Sequence, residues 1–173
     1  MRTPTPARAT CRKGGNAIRL LISACLLGLP CRYDGASKPL PDLPRLLALP
    51  LELVPFCPEQ LGGLPTPRPP AERRGGGVRT RDGRNVTENY ARGAEAALRL
   101  ARLLHCRAAL CKARSPACGC GAVYDGSFSG RLVPGDGVAA DRLWAAGLVV
   151  CTEENWQAAL PPLLQKEGED CST

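Results

Sequence analysis

The chain has 173 residues, of which 44% are hydrophobic but only 4% aromatic, and it carries a net charge of +7. This length suits one domain with an aliphatic core, and the scarcity of aromatic residues argues against a stacking platform for nucleic acid. No apolar run approaches the roughly 18 residues of a membrane helix, so we expect no membrane association. Ten cysteines beside long aliphatic runs favour thiolate ligands in a reduced, cytoplasmic compartment over a secreted disulfide scaffold.

The positive charge is concentrated in two segments. Residues 1–16 are basic and rich in Pro, Thr, Arg and Gly, which predicts a disordered N-terminal extension. Residues 68–84 hold six arginines and two acids, which fits either a solvated loop or a surface for polyanions such as RNA. Without an RNA-binding motif we favour the loop, and nucleic acid is not the favoured partner. We assign the folded domain to residues 17–165 and a flexible tail to residues 166–173.

Aliphatic runs alternate with helical patterns along the folded domain. Strands are predicted at residues 18–25, 51–57, 107–113 and 147–153. Helices are predicted at residues 41–50, 85–105, 137–146 and 153–164, with Pro161 ending or bending the last one. The alternation predicts a single compact α/β domain with a mainly parallel sheet flanked by helices.

The first predicted strand ends in "ISAC", which resembles the cleavage box of a bacterial lipoprotein. A signal sequence needs a continuous apolar segment of about 7–15 residues before its cleavage site. Arg19 interrupts the run before Cys25. We therefore expect a buried strand that ends in a functional cysteine.

Three cysteines follow predicted strands. Cys25, Cys57 and Cys118 come at or after the ends of the first three strands, each in a segment that contains Pro or Gly. Ligands of open parallel sheets bind beyond the carboxyl ends of the strands, so this topology brings the three thiols together. Three thiolates with an open fourth position hold either zinc with a bound water or an iron–sulfur cluster with one free iron. The spacing does not choose between these two centres.

Proton transfer near such a centre falls to carboxylates, lysines and hydroxyls. His105 is the only histidine of the chain, and it is expected on the surface at the end of the long helix. Glu59 lies two residues beyond Cys57 and Ser115 three residues before Cys118, so both lie near a shared metal. A carboxylate there activates water and a hydroxyl relays a proton. A charge at a helix start and a turn cap before proline explain the two residues equally well.

Five segments together resemble the thiouracil desulfidase family: "SACLLGLPCRYDG", "CPEQLGGLPTPRPPAE", "KARSPACG", "YDGSFSG" and "GDGVAADRL". The resemblance extends from about residue 18 to residue 156. It implies a 4Fe–4S cluster bound by three cysteines with one open iron, and a small-molecule partner, a thiolated pyrimidine. The implied reaction converts 2-thiouracil to uracil and sulfide without net redox change.

By motif, the resemblance implies that Cys25, Cys57 and Cys118 bind the cluster. It also implies that Glu59 activates water and that Ser115 assists proton transfer. Desulfuration of thiolated nucleosides or tRNA bases stays open as an alternative, as does a non-enzymatic metal or iron–sulfur protein.

Two further thiols lie close to the motifs. Cys31 either binds sulfide, serves as an alternate ligand or is structural. Cys120 either competes as a ligand or is a neighbour of Cys118. We assign no function to Cys11, Cys106, Cys151 and Cys171.

Overall fold

The computed structural model of the protein describes residues 17–169. The predicted extension at residues 1–16 and the last four residues of the predicted tail lie outside this range. The strands are β1 (Ile18–Ser23), β2 (Leu51–Phe56), β3 (Ala71–Arg74), β4 (Gly77–Thr80), β5 (Ala108–Cys111), β6 (Ala122–Tyr124), β7 (Leu132–Pro134) and β8 (Val149–Thr152). The helices are α1 (Leu43–Leu47), α2 (Pro58–Leu61), α3 (Thr87–Leu103), α4 (Val138–Ala145), α5 (Trp156–Ala159) and α6 (Pro161–Glu169).

The central sheet consists of the four strands that the aliphatic runs predict. Its order is β2–β1–β5–β8, and every neighbouring pair is parallel. The predicted α/β fold with a parallel sheet is therefore confirmed.

Both faces of the sheet are covered, which explains why β1 is apolar at successive positions. Leu20 and Ile22 pack with residues of α1 and α5, whereas Leu21 packs with residues of α3 and α4. Neighbouring side chains of a strand point to opposite faces, so a strand buried on both sides has no polar alternation. All three side chains are fully buried.

Helix α2 is very short and lies directly against α3. A Cβ atom on Gly93 would stand 1.9 Å from the carbonyl oxygen of Pro58, and one on Gly62 would stand 2.0 Å from that of Asn89. The Asn89 amide also donates to the Gly62 carbonyl at 3.0 Å. This backbone-to-backbone contact requires glycine at both positions, and it fixes the helix that follows Cys57.

Two antiparallel hairpins were not predicted. β3 pairs with β4 and β6 pairs with β7. The segment 68–84, which we interpreted as a solvated loop, therefore contains a hairpin, and Gly75 and Gly76 supply its turn with φ angles of 55° and 80°. The strands of this hairpin are four residues long and rich in arginine, so they carry no hydrophobic period that sequence reasoning detects.

Two helical predictions change in detail. Helix α3 begins at Thr87, and Asn85 accepts a hydrogen bond from the Thr87 amide at 3.1 Å in a turn that precedes the helix. The predicted last helix is divided at Pro161 into α5 and α6, and α6 continues to Glu169, into the segment assigned to the tail. Between residues 17 and 169, no helix is both long and apolar enough to cross a bilayer.

Candidate functional site

A cavity of about 530 Å³ opens at the carboxyl edge of the central sheet. All five side chains predicted from the sequence contribute to its wall: Cys25, Cys57, Glu59, Ser115 and Cys118. The strands that precede them, β1, β2 and β5, are adjacent and parallel, so their carboxyl ends meet at one edge. The topology thus brings together residues that are far apart in the chain.

Cys118 lies in an environment that favours its thiolate. The Ser23 hydroxyl accepts a hydrogen bond from the Lys112 amide at 3.1 Å and lies 3.3 Å from the Cys118 sulfur, so its own hydrogen is free for that sulfur. A hydrogen bond from the Cys111 thiol, together with those from Ser23 and Ser115, lowers the pKa of Cys118 to about 7 although burial opposes the charge. Cys118 is therefore prepared to act as a ligand. Sequence reasoning missed Ser23, which lies two residues before Cys25.

Cys25, Cys31 and Cys57 form a second group of thiols in the same cavity wall. The Cys57 thiol donates to the Cys31 carbonyl at 3.7 Å. A hydrogen bond with Cys25 raises the pKa of Cys31 to about 11, and a hydrogen bond with Cys31 raises the pKa of Cys57. The raised pKa values keep the thiols of Cys31 and Cys57 protonated, and a bound cation would displace these protons.

The structure separates the two thiols whose roles the sequence left open. Cys31 is buried and borders the cavity. Cys120 is absent from the cavity wall, and its thiol faces the Val150 carbonyl at 3.9 Å. Cys31 is therefore the additional thiol close to the candidate ligands, while Cys120 lies apart from them.

Glu59 borders the cavity, and two neighbouring side chains hold its carboxylate. Arg68 donates to one carboxylate oxygen, and the Tyr90 hydroxyl donates to the other at 2.5 Å. The side chains of Arg68 and Glu59 are 4% and 14% exposed. Burial and the Glu59 charge raise the pKa of Tyr90, so the phenol keeps the proton that it donates. A carboxylate has about four acceptor positions, so Glu59 keeps capacity for a further donor.

Sequence reasoning did not detect that Tyr90 belongs to the site. In the sequence, Tyr90 looks like one more residue of the apolar face of α3. Its hydrogen bond with Glu59 joins residues 31 positions apart, which no local pattern reveals. Arg68 also donates to the Cys31 carbonyl at 3.1 Å and to Thr66 at 3.1 Å, so it links Glu59 to two further segments of the chain. The two residues together fix the direction of the Glu59 carboxylate.

Ser115 caps the turn that carries Cys118. Its hydroxyl oxygen accepts hydrogen bonds from the Ala117 and Cys118 amides, each at 3.2 Å. This is the turn cap before proline that the sequence analysis gave as the alternative to a catalytic role for Ser115. Because both bonds use acceptor positions of the oxygen, the one hydroxyl hydrogen is left to donate, either to the Cys118 sulfur or to a group in the cavity.

The donor set fits an iron–sulfur cluster better than a single metal ion. Among residues 17–169, no three His, Cys, Asp or Glu side chains stand close enough to share one ion. In a four-iron cluster each thiolate binds a different iron, so the ligands stand further apart than around one tetrahedral zinc. Three thiols on separate strand ends around one cavity meet this requirement.

Fold and site together define a small α/β protein with a cysteine-lined cavity at the carboxyl edge of its sheet. A family model described as 2-thiouracil desulfurase matches residues 20–155, and the chain belongs to this family. The family resemblance read from the sequence motifs is thereby confirmed.

Two individual proteins illustrate the relationship. The chain is 40% identical over 144 residues to the uncharacterized protein YbbK of Bacillus subtilis (strain 168), an alignment that covers 78% of this chain and 95% of the relative. A solved structure of the [4Fe-4S]-dependent thiouracil desulfidase TudS is 44% identical and superimposes with a TM-score of 0.79. That superposition covers 84% of this chain and 97% of the other.

Proposed function

We propose that the protein is a desulfidase that hydrolyses the carbon–sulfur bond of a thiolated pyrimidine, converting 2-thiouracil to uracil and sulfide. Water supplies the new carbonyl oxygen, the C–S bond breaks, and the sulfur leaves as hydrogen sulfide or its anion. Carbon and sulfur keep their oxidation states, so the reaction needs neither oxidant nor reductant.

One observation carries the proposal. Three thiols that follow three parallel strands border the same cavity as a half-buried carboxylate and a turn hydroxyl. The chain is also 44% identical to a desulfidase that depends on a 4Fe–4S cluster. Such a reaction requires cluster ligands, an acid–base group and a substrate cavity in one place.

Cys25, Cys57 and Cys118 are the residues that would hold the 4Fe–4S cluster. When bound, a cluster with one iron free of protein ligands supplies a soft Lewis acid that suits a thiocarbonyl sulfur. The Gln60 amide provides a hydrogen-bond donor for the Cys57 sulfur, and the Lys112 amide and the Ser23 hydroxyl provide donors for the Cys118 sulfur.

The chain's own residues supply the proton transfers. Glu59, held by Arg68 and Tyr90, accepts a proton from the water that attacks the carbon bearing sulfur. Ser115 passes a proton towards the departing sulfur or a ring nitrogen when its hydroxyl hydrogen turns from the Cys118 sulfur to the substrate.

The deciding experiment is purification without air, followed by iron and sulfide analysis and an assay with 2-thiouracil. We expect a brown protein with four irons per chain, as one 4Fe–4S cluster requires, that releases uracil and sulfide in equal amounts. A folded, colourless protein without iron would refute the cluster. A loaded protein that releases no sulfide would point to the non-enzymatic alternative.

Glu59→Gln separates the proposed base from the cluster. We expect this variant to keep its iron and to lose at least about a hundredfold in kcat, since a positioned base contributes about 10²–10⁴-fold. Gln60→Glu is a matched control, because it adds a carboxylate to the same helix at a position outside the cavity wall. Full activity of Glu59→Gln would show that another group activates water.

A further inference from the structure

The aromatic residues of this chain gather at the candidate site. The sequence contains two Trp, three Tyr and two Phe. Tyr33, Phe56, Tyr124 and Phe128 all border the one cavity. Most of the few aromatic side chains of the chain therefore lie around one opening. Such a lining suits a planar ring as ligand.

Phe128 has an unusual backbone conformation that hydrogen bonds hold in place. Its φ angle is 58°, a left-handed conformation that is uncommon for residues other than glycine and rarer still for bulky ones. The Glu72 carboxylate accepts hydrogen bonds from the amides of Gly126 and Phe128, each at 2.9 Å, and Glu72 is buried. Packing of Phe128 alone does not explain this arrangement, because its side chain remains partly exposed.

The loop that carries Phe128 is pressed onto the β3–β4 hairpin. A Cβ atom on Gly126 would stand 2.6 Å from the Arg73 carbonyl oxygen, so glycine is required for this close approach. Arg73 itself donates to the Asp136 carbonyl, which joins the hairpin to the segment before α4. The hairpin and the loop therefore form one fixed wall of the cavity.

Arg81 completes this wall. Its guanidinium lies over the Phe128 ring, 5.5 Å from the ring centroid, and Arg81 borders the cavity as well. A cation over one face of an aromatic ring leaves the other face for a second planar group. Stacking between offset aromatic rings adds to the binding that buried area alone provides.

We propose that Phe128 is the stacking surface that selects the planar pyrimidine ring of the substrate, with Arg81 supporting its opposite face and Glu72 as the positioning residue. This recognition role rests on the proposed function for the identity of the ring. It assigns the shape of this wall to substrate choice and leaves the bond cleavage to Glu59 and Ser115.

The test compares two ligands that differ in planarity. Uracil is planar, whereas 5,6-dihydrouracil has the same carbonyl and N–H groups on a puckered, partly saturated ring. Titration calorimetry on the anaerobically purified, cluster-loaded protein should show tighter binding of uracil by about fivefold to tenfold. Phe128→Leu should reduce this ratio to near one, while Phe128→Tyr should keep it.

Two further variants distinguish the loss of ring stacking from a general disturbance of the fold. Trp144→Leu alters an exposed aromatic residue outside the cavity, and its uracil preference should equal that of the unaltered protein. Glu72→Ala should lose the preference as Phe128→Leu does, with iron content unchanged. A planar preference that survives in Phe128→Leu, or that is missing in the unaltered protein, would overturn the stacking role. A preference that survives in Glu72→Ala would overturn the positioning role.

The two proposals fail in different ways. A loaded protein that binds uracil over dihydrouracil but releases no sulfide from 2-thiouracil refutes the proposed reaction and supports the ring site. A protein that releases sulfide at an unchanged rate and with an unchanged KM after Phe128→Leu retains the reaction and loses the ring site.

Discussion

Arg68 is the residue on which the arrangement around Glu59 depends. Its guanidinium reaches the Glu59 carboxylate, the Cys31 carbonyl and Thr66 from a buried position. A buried ion pair contributes little net stability, but removing one partner leaves an uncompensated charge in a poorly solvated place. We therefore expect Arg68 to matter for both folding and activity.

Arg68→Met should lower the free energy of unfolding by about 3 kcal/mol, because the Glu59 carboxylate loses its counter-charge while most of the side-chain volume is kept. Urea unfolding followed by circular dichroism measures this loss. Arg142→Met is the matched control: its pair with Glu95 is 50% and 59% exposed, so at most about 1 kcal/mol is expected. Adding Glu59→Gln to Arg68→Met should restore part of the stability. Equal losses for Arg68→Met and Arg142→Met would contradict the buried-charge argument.

At the scale of elements, the contact between α2 and α3 decides where Glu59 lies. Helix α2 has four residues and carries Glu59 in its first turn, so it has little stability of its own. Gly62 and Gly93 let its backbone touch the backbone of α3. The position of a proposed catalytic group thus depends on two residues without side chains.

Gly93→Ala should destabilise the protein although alanine is the better helix former. Helix propensity favours alanine by about 1 kcal/mol, whereas a Cβ atom 1.9 Å from the Pro58 carbonyl oxygen forces α2 away from α3. Such overpacking costs about 1–3 kcal/mol, and the displaced carbonyl belongs to backbone that cannot rotate aside. The rate of sulfide release should fall by more than the loss of folded protein explains, because Glu59 moves with α2.

Ala91→Gly is the control for this element, because Ala91 is exposed on the same helix. It should cost about 1 kcal/mol of stability through propensity alone and leave kcat unchanged. A stability gain in Gly93→Ala would mean that the two helices separate without cost.

On the scale of the whole molecule, the proposed cluster joins the ends of three strands. Cys25, Cys57 and Cys118 belong to segments that the chain connects only through long intervening stretches. A group bound by the native state and not by the unfolded chain stabilises the fold. The loaded protein should therefore unfold at a higher temperature than the cluster-free protein.

Single alanine substitutions at Cys25, Cys57 and Cys118 should each abolish iron binding and remove this difference in Tm. Cys106→Ala is the control, because Cys106 is a buried thiol outside the cavity wall. It should lose stability through the lost packing but keep the iron and the Tm difference. Iron analysis and thermal unfolding under anaerobic conditions provide both measurements. Retained iron in any of the three variants would remove that cysteine from the ligand set.

The sequence by itself determined the central sheet and the meeting of the five proposed site residues. Short aliphatic runs such as 18–25, alternating with helical patterns, indicate a sheet buried on both faces, and parallel strands put Cys25, Cys57 and Cys118 at one edge. Only the tertiary structure decided the surroundings of these residues. The Tyr90–Glu59 bond and the Glu72 contacts with the Phe128 loop join polar residues distant in the chain, and the arginine-rich β3–β4 hairpin lies against that loop. Such contacts leave no periodic pattern in the sequence, because they depend on where whole elements pack and not on the local preference of the residues themselves.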